Sequence, residues 1–315
     1  MKVTVIAGGL SHERDVSERS GRRVADALRD CGHEVVVRDT NANLLRELEA
    51  HRPDVVVPML HGAVGEDGTV REVLKALELP YVGSVPSACR LSFDKSLAKA
   101  LLEESGVKSP FGIALPHTAF RELGADALMA AVVQKVGLPA VVKPVRSGSS
   151  LGATVVKDSS EVPSALVSAF AYADVALIER FVEGTEIAVA VLEDSTGPKA
   201  LPAVEIRPDG GFYDYNARYV AGLTEFFCPA RLDPATAARA AEVALTAHRE
   251  LGLRDLSRAD LIVDADGEVW FLETNVAPGF TETSLFPQAI AAAGLQVAEV
   301  FDKLVSIAAE RGGKG

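Results

Sequence analysis

The sequence predicts an α/β protein: a parallel, doubly wound sheet at the N-terminus, then an α+β part built on longer strands. Three observations lead there. From Met1 to about Ser84, short apolar runs alternate with amphipathic stretches, and strands covered by helices on both faces read as unbroken apolar runs. A second unit begins near Leu91 with a helix-like segment and two further apolar runs. From about Gly184 the runs lengthen and carry polar alternation, ending in a hairpin pattern. The boundaries that follow are 1–88, 89–183 and 184–315.

In order, KVTVIAG (2–8) is the first strand, about 16–31 a helix, HEVVVRD (33–39) a strand, and about 43–50 a helix. DVVVPML (54–60) is the third strand, about 69–77 a helix, and PYVG (80–83) a fourth strand. The helix DKSLAKALLEESG closes at Gly106, and the strands PAVVKP (139–144) and DVALIERFV (174–182) follow. TEIAVAVLED (185–194) is a long strand, and ADLIVDADGEVWFLETN (259–275) is a hairpin turning at Asp266 and Gly267. Between these, GGFYDYNARYVAGLTEFF (210–227) is too irregular for one element and too rich in side chains for a linker, so it reads as an ordered functional loop. Only the tail RGGKG reads as disordered.

Bulk properties narrow the function. At 315 residues the chain is long enough for two or three packed units. A formal net charge of -12 argues against nucleic acid and anionic membranes, although a local basic pocket survives in an acidic protein. Cys31, Cys89 and Cys228 are widely spaced and form no C-x-x-C pair, which suggests neither a zinc site nor a disulfide framework. No run approaches a membrane span and the N-terminal apolar run is short for a secretory signal, so a cytoplasmic, soluble protein is expected.

The loop TVIAGGLSHERDVSERSG (4–21) ends a strand in two glycines, as many phosphate-binding turns do. Gly8 and Gly9 are adjacent and the next glycine is Gly21, so the G-x-G-x-x-G spacing is missing; Asp39, placed like a ribose acid, is weak support alone. The loop is left to present Glu13 to something other than phosphate. PAVVKPVRSGSSLG (139–152) is a sharper signal: a strand delivers Lys143, then Gly148, Ser149, Ser150 and Gly152 offer backbone amides and hydroxyls to phosphate oxygens. Lys95 alone reads as a solvated helix charge. In the hairpin, Glu273 and Asn275 share one face of a strand, with Asp260 opposite them within a residue of register. Such carboxylates and an amide oxygen suit magnesium, with Arg258 beside a metal-bound phosphate and the APGFTETS turn showing Gly279 and Ser284 to the same place.

This order of phosphate lysines, a glycine-serine lid and a magnesium hairpin resembles the ATP-grasp superfamily, and within it the D-alanine–D-alanine ligase family. The resemblance is carried by GGLSHERDVS, LHGAVGEDGTV, GSVPSACRLSFDK, VVKPVRSGSSLG, IERFVEGTE, FYDYNARY and ETNVAPGFTETS, and spans nearly the whole chain. It implies two ATP-grasp subdomains after the N-terminal sheet, and ATP-dependent joining of two D-alanines through an acyl phosphate, for peptidoglycan precursors. It implies that Glu13 receives the ammonium of the first D-alanine. Lys95 and Lys143 would hold ATP phosphates, Glu179, Arg180, Phe181 and Val182 the adenine, and Glu186 the ribose. Asp260, Glu273 and Asn275 would hold two magnesium ions, or manganese. Ser149, Glu13 and Tyr219 would close the site as a hydrogen-bonded set, Arg258 and the Gly279 amide would form an oxyanion hole, and Ser284 and the Leu285 amide would take the second carboxylate. His61 belongs to the implied substrate pocket, though a packed core histidine reads equally well. A homodimer is also implied. Two positions depart from the family pattern: Arg218 stands where lysine is usual and Val276 where threonine is usual, so the ATP-side donor geometry and the second substrate stay open. The alternatives are a sister ligase taking another D-amino or hydroxy acid, and a non-catalytic ATP-binding regulator.

Overall fold

The computed structural model describes residues 1–213, 217–218, 220 and 222–313. Its first sheet is parallel, with β1 (Lys2–Ile6) between β2 (Glu34–Arg38) and β3 (Val55–Pro58). One face buries Val3, Val5 and Val57 against Val24 and Leu28 of the helix Arg14–Asp30 and against Phe301 and Val305 of the helix Val297–Arg311. The other face packs Ile6 and Val56 on Leu44, Leu48, Val70 and Leu74. Both faces are therefore covered, as the apolar runs require.

The second sheet has the order β4 (Gly112–Pro116), β7 (Val175–Arg180), β5 (Ala140–Pro144), β6 (Thr154–Val156), and all its pairings are antiparallel. Helices cover one face only. Along β5, Ala140 and Val142 turn into that helical layer, while Val141 and Lys143 line a cavity on the opposite side. The third sheet runs β11 (Thr224–Phe227), β10 (Val204–Pro208), β8 (Thr185–Asp194), β12 (Leu256–Val263), β13 (Val269–Asn275), with β9 (Gly197–Ala200) also on β8. Helix Pro234–Glu250 packs across it through Ala240, Ala244 and Ala247, residues small enough to let backbones approach. Its start is fixed by Pro234 and by the Asp233 carboxylate, which accepts from the Ala235 and Thr236 amides at 3.0 and 3.1 Å. Among the described residues no helix is long and apolar enough to cross a membrane.

Four expectations need correction. PYVG is a single parallel bridge, Val56 to Tyr81, because the chain turns at once into the helix Pro86–Phe93. TEIAVAVLED does not alternate: Ile187 to Val191 are all buried, since β8 lies inside its sheet with both faces covered. The segment 210–227 ends in a strand, Thr224–Phe227, held by β10. The tail is anchored at its start: Arg311 closes the last helix, grips Asp255 with two bonds of 2.8 Å and donates to the Tyr81 carbonyl at 3.0 Å.

Candidate active site

The loop after β1 is shaped by Asp39, which is a loop cap and not a ribose acid. Its carboxylate accepts from the Gly9 and Thr40 amides at 2.8 and 2.7 Å and from Arg14 at 2.6 Å. Gly8, at φ +104°, passes so close to that carboxylate that a side chain would collide with it. Its amide donates to Ser17 Oγ at 2.8 Å, and Ser17 donates to the Met59 carbonyl at 2.7 Å. The loop is thus pinned to β1, β2 and the end of β3, and it delivers Glu13, 7% exposed, into a pocket.

Two cavities adjoin there. The larger, of about 350 Å³, lies between the second and third sheets; the smaller, of about 120 Å³, lies against the N-terminal sheet's loops. Lys95, Ser147, Tyr213, Arg218 and Glu273 line both. Lys143, Glu179, Arg180, Phe181, Val182, Glu186 and Asp260 line the larger one. Glu13, His61, Ser149, Arg258, Asn275, Gly279, Ser284 and Leu285 line the smaller one. The site residues expected from the sequence are brought to one or the other, except Gly152, which lines neither, and Tyr219, which lies outside the described residues.

The hairpin register sets the floor: Asp260 pairs with Glu273 and Arg258 with Asn275, with an irregularity just after Asp260. Arg258 donates to both oxygens of Asp260, at 2.6 and 2.7 Å, in a buried bidentate pair. Its Nη1 makes no hydrogen bond among the described residues. Lys95 is 3.1 Å from Glu273 and donates to the Ser147 carbonyl at 2.6 Å, so it is a buried site cation and not a solvated helix charge. Its helix, Lys95–Glu104, is capped by Asp94, which accepts from the Leu97 amide at 3.1 Å and also holds Arg146 at 3.0 Å, fixing the base of the glycine-serine loop. Ser149 and Ser150 stand at φ +50° and +55°; Ser149 donates to Glu13, and Ser150 donates to the Tyr213 carbonyl at 3.0 Å. Arg218 lies 4.2 Å over the Tyr213 ring and donates to Ser150 Oγ at 3.2 Å.

Charge states follow from this crowding. Burial pushes the Glu273 carboxyl up, but Lys95, Lys143 and Arg218 overcome that and hold it down to about 2. Burial raises Glu186 to about 7, against the pull of Arg218. Burial, with Arg258 adding to it, lowers His61 and keeps its ring neutral, against Glu13 and a backbone bond with Ala277. His61 Nε2 is buried and has no partner among the described residues, which favours a ligand-facing histidine over a packed core one. Ser284 caps the helix Leu285–Ala292, and its hydroxyl accepts from the Thr281 amide at 3.0 Å. A side chain at Gly279 would come within 2.9 Å of that hydroxyl, so glycine keeps the two groups together.

Three buried residues in or around the site were not singled out in the sequence. Lys99, one helical turn after Lys95, shares the buried carboxylate of Glu179 with Lys143. Arg71, 2% exposed, donates to the Gly65 carbonyl and, at 3.4 Å, to the Val276 carbonyl, tying the His61 loop to the turn after β13. Glu66 accepts from the Gly62 amide at 2.8 Å; burial, and then the nearby Glu13, raise it to about 8. Its folded pKa lies above its ordinary 4.5, so the folded state holds the extra proton and stability falls as pH rises from about 4.5 to about 8. Glu66→Gln is expected to flatten that part of the Tm-against-pH curve; a variant whose curve parallels the wild type over pH 5 to about 8 would contradict the neutral Glu66.

The chain matches two family models, "D-ala D-ala ligase C-terminus" over residues 101–306 and "D-ala D-ala ligase N-terminus" over 38–84. It is 41% identical over 308 residues to the D-alanine–D-alanine ligase of Anaeromyxobacter dehalogenans (strain 2CP-C), covering 98% of this chain and 97% of that one. The same enzyme of Bordetella petrii is also 41% identical, covering 98% and 92%. Among solved structures, D-alanine–D-alanine ligase from Bacillus anthracis complexed with ATP superposes with a TM-score of 0.82 at 29% identity, covering 99% of this chain and 98% of that one. The VanG D-Ala:D-Ser ligase from Enterococcus faecalis gives 0.83 at 27%, covering 98% and 99%.

Proposed function

The chain belongs to the D-alanine–D-alanine ligase family, and from that premise we propose that it joins two D-alanines at the expense of ATP, to make D-alanyl-D-alanine for peptidoglycan precursors. One observation carries the reading: a cavity of about 350 Å³ and a polar pocket of about 120 Å³ share the wall made by Lys95 and Glu273. A nucleotide in the first and amino acids in the second meet at that wall. The larger cavity offers Lys95, Lys143 and Arg218 to phosphate, beside the carboxylates of Glu179 and Glu273 that hold the two lysines.

Two carboxylates and an amide fit a hard divalent cation. Asp260 and Glu273 are paired across strands and line the same cavity, each beside a cation, Arg258 and Lys95. Magnesium needs only a few protein oxygens, because its remaining positions go to phosphate and water. Asp260, Glu273 and Asn275 would hold it. When bound, it neutralises phosphate charge as the γ-phosphoryl group moves.

The first D-alanine binds with its ammonium at Glu13. Its carboxylate oxygen attacks the γ-phosphorus, the bond to ADP breaks, and Lys95 and Lys143 balance the charge. The second D-alanine places its carboxylate on the Ser284 hydroxyl and Leu285 amide, at a helix N-terminus suited to an anion. Its neutral amine attacks the acyl carbon; Arg258 and the Gly279 amide receive the oxyanion, and on collapse hydrogen phosphate leaves with the former carboxylate oxygen and the proton the amine gives up. The Ser149 loop keeps water from the acyl phosphate. A homodimer acting in the cytoplasm completes the reading, on the family resemblance.

The test is ADP release with D-alanine, L-alanine, D-serine and D-lactate, with products read by mass. The expected product is D-alanyl-D-alanine, with amide exceeding ester when D-alanine and D-lactate compete at neutral pH. ADP release without D-alanine dependence, or a predominant ester, would overturn the assignment.

A further inference from the structure

Behind the nucleotide cavity lies a third one, of about 620 Å³, between the helix Lys95–Glu104 and the strands β4, β7 and β13. Its volume is in the range of small-molecule sites. Val107, Phe111, Leu177 and Trp270 give it apolar and aromatic walls. Ser96, Lys99, Glu103, Lys108 and Ser109 give it polarity, with Glu103 and Lys108 exposed to solvent and Lys99 buried. Lys99, 8% exposed, lines it while bonding Glu179, and Ser109 has a buried hydroxyl with no partner among the described residues. None of this serves the ligation chemistry above.

Lys99 stands in the wall between this cavity and the nucleotide cavity. The single carboxylate of Glu179 is bonded to Lys99 on one side and to Lys143 on the other, so these three groups carry one positive charge in excess. Lys143 lines the nucleotide cavity, and Pro110 lines both cavities.

We propose that this third cavity is a regulatory site for a small aromatic carboxylate, whose anion pairs with Lys99 and whose ring lies against Trp270 and Phe111. Occupation weakens nucleotide binding through Glu179. An anion on Lys99 leaves Glu179 to Lys143 alone, which cancels the charge that Lys143 offers to phosphate. A phosphate on Lys143 returns Glu179 to Lys99, which disfavours the anion. The two effects are one coupling free energy and so are equal in size. The coupling, though not the cavity's occupation, rests on the nucleotide reading above.

Trp270 is the chain's one tryptophan, so its emission reports this cavity directly. Benzoate is the probe, benzamide the neutral match, and sodium chloride the control for ionic strength. Benzoate is expected to change Trp270 emission saturably and to raise the Kd of a non-hydrolysable ATP analogue by about fivefold or more, the low end of ordinary allosteric coupling, with benzamide much weaker in both. Ala100→Phe, at the cavity rim and outside the active site, should abolish both effects and leave ligase activity intact; Lys99→Met should abolish the preference for benzoate over benzamide. Unchanged Trp270 emission overturns the site, whether or not the analogue is displaced. An emission change that survives both substitutions also overturns it, and a saturable emission change with no change in the analogue's Kd overturns the coupling.

Discussion

Arg258→Lys is expected to lower kcat by about 10²- to 10³-fold while ATP affinity changes little, because one oxyanion donor is worth roughly that factor. Arg258 is the only side chain proposed for the oxyanion, and its fork is also the bidentate partner of Asp260. Removing its charge altogether would leave Asp260 buried and unpaired, a loss of about 3–5 kcal/mol in stability that would confuse the result. Lysine keeps the charge, so a Tm close to the wild type together with a large fall in kcat isolates the catalytic part. A folded variant turning over within about threefold of the wild type would remove Arg258 from the oxyanion hole.

Lys143→Ala is expected to weaken ATP binding by roughly ten- to a hundredfold, since a hydrogen bond to a charged group contributes about 1.5–3 kcal/mol. The fold should survive, because Glu179 keeps Lys99 as its partner. Titration calorimetry reads the affinity and thermal unfolding the stability. Unchanged affinity would mean that Lys143 only balances Glu179 and does not reach phosphate.

What was legible in the sequence was what periodicity and local chemistry dictate. Strand alternation places Lys143 on the cavity face of β5, and residues two apart on β13 place Glu273 and Asn275 together opposite Asp260 and Arg258. The two covered faces of the N-terminal sheet follow from its apolar runs. What was not legible depends on approach between distant segments. Glu66 and Lys99 look like ordinary surface charges in sequence; only burial beside Glu13 and Glu179 changes their character. Asp39 resembles a ribose acid until Arg14 and the Gly9 amide occupy it. The tail looks unstructured because the partner of Arg311, Asp255, lies 56 residues away.

The central claim is that the carboxylate of one D-alanine is phosphorylated before the peptide bond forms. Isotope transfer tests it most directly: the protein is incubated with ATP and D-alanine labelled with ¹⁸O in its carboxylate, and the inorganic phosphate is analysed by mass. The account predicts one ¹⁸O in each phosphate released, with ADP and D-alanyl-D-alanine in equal amount. Unlabelled phosphate, or AMP and pyrophosphate in place of ADP and phosphate, would contradict it.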